Sequence, residues 1–140
     1  MRKLIFLTLI IAVISLSACE QQFAPINYGH EGCQHCRMTI MDKRFAAELL
    51  TSKGKAFKFD DLSCLIKYMK DEHMNDAGIR IFVADYQHPD GQFLNAQQAA
   101  FVHDENLRSP MNGNIAAYAS VAKVTSPIPH GVLYWTTLNK

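Results

Sequence analysis

RFAAELLTSKGKAFKFDDLSCLIKYMKDEH, residues 44–73, is the stretch whose reading decides the fold. Arg44 to Leu50 alternates weakly between polar and apolar side chains, as a half-buried strand does. Thr51-Ser52-Lys53-Gly54-Lys55 is turn chemistry, and Ala56-Phe57-Lys58-Phe59 alternates again, so the two runs predict a hairpin. Asp60 and Asp61 then offer an N-cap to a helix over Leu62–His73, in which Leu62, Leu65, Ile66 and Met69 recur at helical spacing. Asn75 to Gly78 ends that helix, and Ile79 to Tyr86 reads as a strong strand. The first half is therefore strand, strand, helix, strand.

Beyond it the pattern weakens. His88-Pro89-Asp90-Gly91 is a turn, and Gln92 to Leu94 a short strand. Asn95 can cap a short helix over Ala96–His103, and Ser109 to Gly113 is loop. Asn114–Tyr118 predicts a strand, Ser120–Val124 a brief helix or strand, and Gly131–Thr136 a last strand. Pro127 and Pro129 interrupt any helix between them. The class is α+β, built of two small ββαβ-type units, the second one irregular. The approximate halves are residues 28–87 and 88–140.

The first eighteen residues read differently. Arg2 and Lys3 precede an almost unbroken apolar run from Leu4 to Leu16, too short for an ordinary transmembrane helix. Leu16-Ser17-Ala18-Cys19 follows as a small-residue cleavage site ending in cysteine. This predicts a lipoprotein signal peptide over 1–18, lipid on Cys19 and a polar tether over 19–27. The expected location is the periplasmic side of a bacterial membrane. Glu20 in the second mature position favours the outer membrane by the sorting rule of such lipoproteins. The whole chain carries a formal net charge of +1, and loss of Arg2 and Lys3 makes it −1. With no basic patch or charge run, nucleic acid is excluded as a partner.

Setting Cys19 aside leaves Cys33, Cys36 and Cys64, an odd set that is no disulfide framework. Cys33-Gln34-His35-Cys36 admits three chemistries. A redox dithiol, the thiol–disulfide oxidoreductase reading of Cys33 and Cys36, needs a depressed thiol pKa, commonly at the start of a helix. No long amphipathic helix follows Cys36. A structural zinc site needs a second ligand pair, and no pair drawn from Cys64, His73, His88 or His103 has knuckle spacing. Copper(I) is soft and accepts thiolate with thioether. Met38 lies two residues after Cys36, which in an extended segment puts both sulfurs on one face, with Cys33 joining from the turn. On spacing alone, copper and plain core filling by Met38 stand level. Cys64, off the main apolar stripe, reads as a small buried hydrophobe. Met41 and Met69 read as core, and His30 and His35 stay open as ligands.

Cys33-x-x-Cys36-x-Met38-Thr39-Ile40 followed by Arg44-Phe45-Ala46-Ala47 resembles the opening of the NosL-type lipoproteins. Phe59-Asp60-Asp61-Leu62-Ser63-Cys64-Leu65, Val83-Ala84-Asp85-Tyr86, Leu94-Asn95-Ala96 with Ala99, and Ser109-Pro110-Met111 ahead of Ala116 follow in the family's order. The resemblance implies a periplasmic Cu(I) carrier that is not an enzyme. It would supply a cuproenzyme, nitrous oxide reductase, and be built of two ββαβ-type units. It places the metal on Cys36 and Met38, with Cys33 as an additional cysteine and Met111 as a third sulfur from the second half. The chain departs from the family where Asn112 stands after that methionine, and where Thr125 to Pro129 cut short a helix.

Overall fold

The computed structural model describes residues 23–91, 93–125, 128 and 130–140. The signal peptide, Cys19 and the start of the tether lie outside them, as do Gln92, Pro127 and Pro129.

The hairpin forms as read. Strands β1 (Ala47–Leu50) and β2 (Ala56–Phe59) pair antiparallel with Ala47 opposite Phe59 and Leu50 opposite Ala56. Helix α1 (Leu62–Asp71) follows, and β3 (Arg80–Val83) returns antiparallel to the other side of β1. A short β4 (Leu94–Asn95) completes a sheet of order β2-β1-β3-β4. Register sets the two faces. Leu49 aligns with Phe57 and Ile81, and Ala47 with Phe59 and Val83. Leu62, Leu65 and Met69 of α1 are buried in the same cluster as Leu49 and Phe59. Tyr68 packs between Phe57 and Phe59, ring centroids 5.4 and 5.3 Å away.

The opposite face carries Glu48, Lys58 and Phe82. The chain from Phe23 onward covers it. Phe23 stacks on Phe93 at 4.0 Å and meets Phe82 edge-on. Ala24 N–H donates to the buried Glu48 carboxylate, and Lys58 Nζ donates to Pro25 O and Glu31. Residues 23–27, expected as tether, thus pack onto the domain, and Ile26 enters its main core.

The second unit is irregular, as the proline-broken sequence suggested. Strands β5 (Ala100–His103) and β6 (Ile115–Tyr118) pair antiparallel, with 3-10 turns at Glu105–Leu107 and Val121–Lys123. Tyr86 N–H donates to Ala117 O, which continues the line of β3 onto β6 and ties the sheets together. Phe45, Val102, Leu107, Ala116 and Tyr118 form a second core there.

Two predicted elements differ. Ala96–His103 is not a helix. Asn95 does cap a turn, accepting Gln97 N–H on its side chain and Gln98 N–H on its carbonyl, but the turn ends at once. Ala100 to Val102 are buried on both faces within β5, and pairing with β6 outweighs local helical preference. The last strand over Gly131–Thr136 shrinks to one bridge, Leu133 with Phe101. Trp135 then opens a single-turn helix, α2 (Trp135–Leu138), and is itself buried. Boundaries shift as well. Asp42 grips Arg44 through backbone and guanidinium, so β1 starts later than Arg44. His73 turns left-handed at φ 50 and Met74 N–H closes back on Met69 O, so α1 ends at Asp71.

Candidate metal centre

The segment Gly32–Thr39 closes on itself before β1. Gly32 bridges Thr39, Cys33 N–H donates to Met38 O at 2.7 Å, and Arg37 N–H donates to Cys33 O at 3.0 Å. Gln34 N–H donates to Lys58 O, which pins the loop to the edge of β2. Cys33 is carried inward and fully buried, while Cys36 is half-buried.

The other wall comes from the junction between β2 and α1. Asp60 leaves the end of β2, and Cys64 sits in the first turn of α1, both buried. Asp61, not Asp60, caps the helix, accepting Ser63 N–H at 2.8 Å. Cys33, Cys36, Asp60 and Cys64 each offer one donor atom, and these four lie within 4.8 Å of one another. The thiol of Cys36 donates to both Asp60 oxygens, at 3.4 and 3.6 Å. All three cysteines are free thiols.

Burial governs their acidity. Desolvation, and then the neighbouring Asp60 carboxylate, pushes the Cys33 thiol up to about 11. Burial, and then the negative charge its neighbours would carry, raises Cys64 as well. The pocket therefore keeps these protons until something replaces them. Three thiolates suit a soft cation, and the carboxylate adds an acceptor for the proton of Cys36.

The expected residues fare unequally. Cys33 and Cys36 meet as read. Cys64, taken for a core filler, joins them, and so does Asp60, taken for a second capping carboxylate. A legible signal existed: a strand, a cap and a first helical turn place Asp60 and Cys64 at the same end of α1. Met38 is 55% exposed at the outer edge of the loop. Extended alternation does not run through Cys36 to Met38, because Arg37 between them is left-handed at φ 66. Met111 is half-buried against the main core, and its N–H donates to Asp61 Oδ2 at 3.0 Å. Its loop is thereby tied to the residue lying between Asp60 and Cys64. His35 faces Asp71 at 3.8 Å, and neither His35 nor His30 belongs to the cluster. Met69 is core, but Met41 is 69% exposed, contrary to its reading as core.

The sequence model of the NosL family matches residues 26–126. The crystal structure of the copper chaperone NosL from Shewanella denitrificans is similar, with a TM-score of 0.59. That match covers 72% of this chain and 81% of the other at 20% identity, which speaks to the fold. No curated protein matches.

Proposed function

The chain belongs to the NosL family, and from that premise we propose that it binds copper(I) as cargo and hands it to a cuproenzyme. The observation that carries this reading is the convergence of three thiols and the Asp60 carboxylate within 4.8 Å at one end of α1. Cys36 is the central donor, half-buried between the inner thiols and solvent. Cys33 lies behind it and Met38 outside it, and Met111 is the further sulfur assigned from the second unit. Cys64 and Asp60 belong to the same pocket and enter the ligand set as candidates.

Thiolates and thioethers together favour copper(I) over harder ions. Loading expels thiol protons, so copper and protons compete for the sulfurs. Release reverses this by ligand exchange: an acceptor's donors displace the exposed thioether of Met38 first, then the thiolates from Cys36 inward. The proposed acceptor is nitrous oxide reductase, which the family resemblance implies.

The same pocket argues against the thiol–disulfide oxidoreductase. A nucleophilic thiol is exposed and acidic. Cys33 is buried and its pKa is raised, which suits a binder rather than an enzyme. A structural zinc module is disfavoured because an apolar core of aliphatic and aromatic side chains already holds the unit together.

The proposed setting is the periplasmic face of a bacterial membrane, the outer one favoured, with lipid on Cys19. No helix among the described residues is long and apolar enough to cross a membrane. Phe23 packs on the sheet four residues after Cys19, so the lipid would hold the domain close to the bilayer.

Anaerobic copper(I) titration of the reduced protein against a competing chelator tests the reading. Wild type is run beside Cys36→Ser and Met38→Leu. Tight one-to-one binding weakened by both substitutions is expected. Binding indifferent to both would sink the proposal. Transfer to copper-free nitrous oxide reductase tests the acceptor, and radiolabelled fatty acid incorporation lost in Cys19→Ala tests the anchor.

A further inference from the structure

We propose that Asp61 is a positioning residue that holds the Met111 loop against the thiol pocket and so completes the copper site. This rests on the assignment of copper to that site. Asp61 is fully buried. A helix cap needs one side-chain acceptor, and Oδ1 supplies it to Ser63 N–H at 2.8 Å. Serine, threonine or asparagine would serve that purpose as well. Asp61 uses its second oxygen elsewhere. Oδ2 accepts Ser109 Oγ–H at 2.5 Å and Met111 N–H at 3.0 Å, from a loop about fifty residues further along the chain.

That loop is closed on the same point. Ser109 N–H donates to the Asn114 side chain at 2.9 Å, and Asn114 N–H donates to Ser109 Oγ at 2.7 Å. Gly113 lies so near that an added Cβ would stand 2.5 Å from Asp61 Oδ1 and 2.6 Å from Ser63 Cβ. Only glycine permits this approach. One carboxylate thus organises both the first turn of α1, which carries Cys64, and the loop that carries Met111. Asp60 is its chain neighbour. Burying a carboxylate is costly unless hydrogen bonds satisfy it. Here three do, and two of them serve the loop rather than the helix.

A thioether is a weak ligand, so its contribution depends on being held in place. Outer groups that orient metal ligands typically govern affinity by about 10- to 100-fold. Asp61→Asn retains an acceptor for Ser63 and loses Oδ2 as acceptor for two donors. Gly113→Ala perturbs the same contact from the loop side and leaves the carboxylate intact.

The test is anaerobic copper(I) titration of the reduced full chain for wild type, Asp61→Asn, Gly113→Ala, Met111→Leu and the Asp61→Asn/Met111→Leu double variant. The Met111 methyl resonance is followed during each titration where methionine is present. Asp61→Asn, Gly113→Ala and Met111→Leu are each expected to weaken binding about 10- to 100-fold. The double variant should be no weaker than Met111→Leu alone, and the Met111 methyl should shift on copper addition in wild type but not in Asp61→Asn. A purely structural role would lower thermal stability and leave that shift in place, which would overturn the inference. Losses that multiply in the double variant would do the same, because Asp61 would then act independently of Met111. Should Asp61→Asn not fold, Gly113→Ala decides by the same criteria. If Met111→Leu binds copper as wild type does, the assignment of Met111 fails and the inference fails with it. If only Met111→Leu weakens binding, the assignment stands and the positioning role alone is refuted.

Discussion

Copper loading should expel protons well into the alkaline range. The thiol of Cys33 is pushed from 9.0 to about 11 by burial and by Asp60. Two pH units correspond to about 3 kcal/mol, or about a hundredfold in affinity at neutral pH relative to an unshifted thiol. Copper affinity should therefore climb about tenfold per pH unit for each thiol proton displaced. For Cys33 the climb should continue beyond pH 9 and flatten only near 11. Anaerobic titration against a competing chelator between pH 6 and 10 measures the slope. Proton release in weak buffer counts the protons directly. A slope that levels off at or below pH 9, or release of less than one proton per copper, would refute the reasoning. The same shift has a consequence for the apoprotein. Below pH 9 the thiol is neutral in both folded and unfolded chains. As pH rises from 9 to 11 the unfolded thiol ionises first, so stability falls, by about 3 kcal/mol in all from Cys33. Cys33→Ser should shrink that alkaline loss. For a carrier the arrangement is useful, since raised thiol pKa values moderate affinity and favour release.

Met38→Leu should leave apoprotein stability within about 0.5 kcal/mol, because the side chain is mostly exposed, yet weaken copper binding in a chelator competition. Burial raises the Glu48 carboxyl and leaves its Oε2 without a partner. Glu48→Gln should thus raise the melting temperature, by more at pH 7 than at pH 4, where the wild-type carboxyl is already neutral. Equal gains at both values would contradict this account. Phe101→Ala, emptying a fully buried site between β6 and Leu133, should cost about 3–5 kcal/mol in urea unfolding. Chelation of bound metal should leave the near-ultraviolet circular dichroism essentially native, and loss of that signal would revive the structural zinc reading.

Legibility followed the range of the forces involved. The hairpin and α1 were visible in residues 44–73 because turn chemistry, capping and apolar periodicity act over a few positions. Residues 96–103 misled for the same reason. Asn95 offers a genuine cap, and no local feature reports that Ala100 to Val102 will be buried on both sides by β6 and Leu133. The pairing of Cys33 with Cys36 could be read from spacing, and spacing also put Asp60 and Cys64 at one end of α1, but nothing local placed that end beside the cysteine pair. Asp60 and Asp61 look equivalent in sequence, and only the path of the chain separates a pocket wall from a helix cap.

By itself the sequence determined the α+β class, the regular first unit, the family and the sulfur-rich loop, since each depends on neighbours along the chain. Tertiary structure decided the rest. It turned Arg37 left-handed and left Met38 exposed, and it sank Cys64 and Asp60 beside Cys33 and Cys36. It also hung the Met111 loop on Asp61. Those outcomes depend on burial and on hydrogen bonds between residues tens of positions apart. Such contacts exist only once the chain has closed around them.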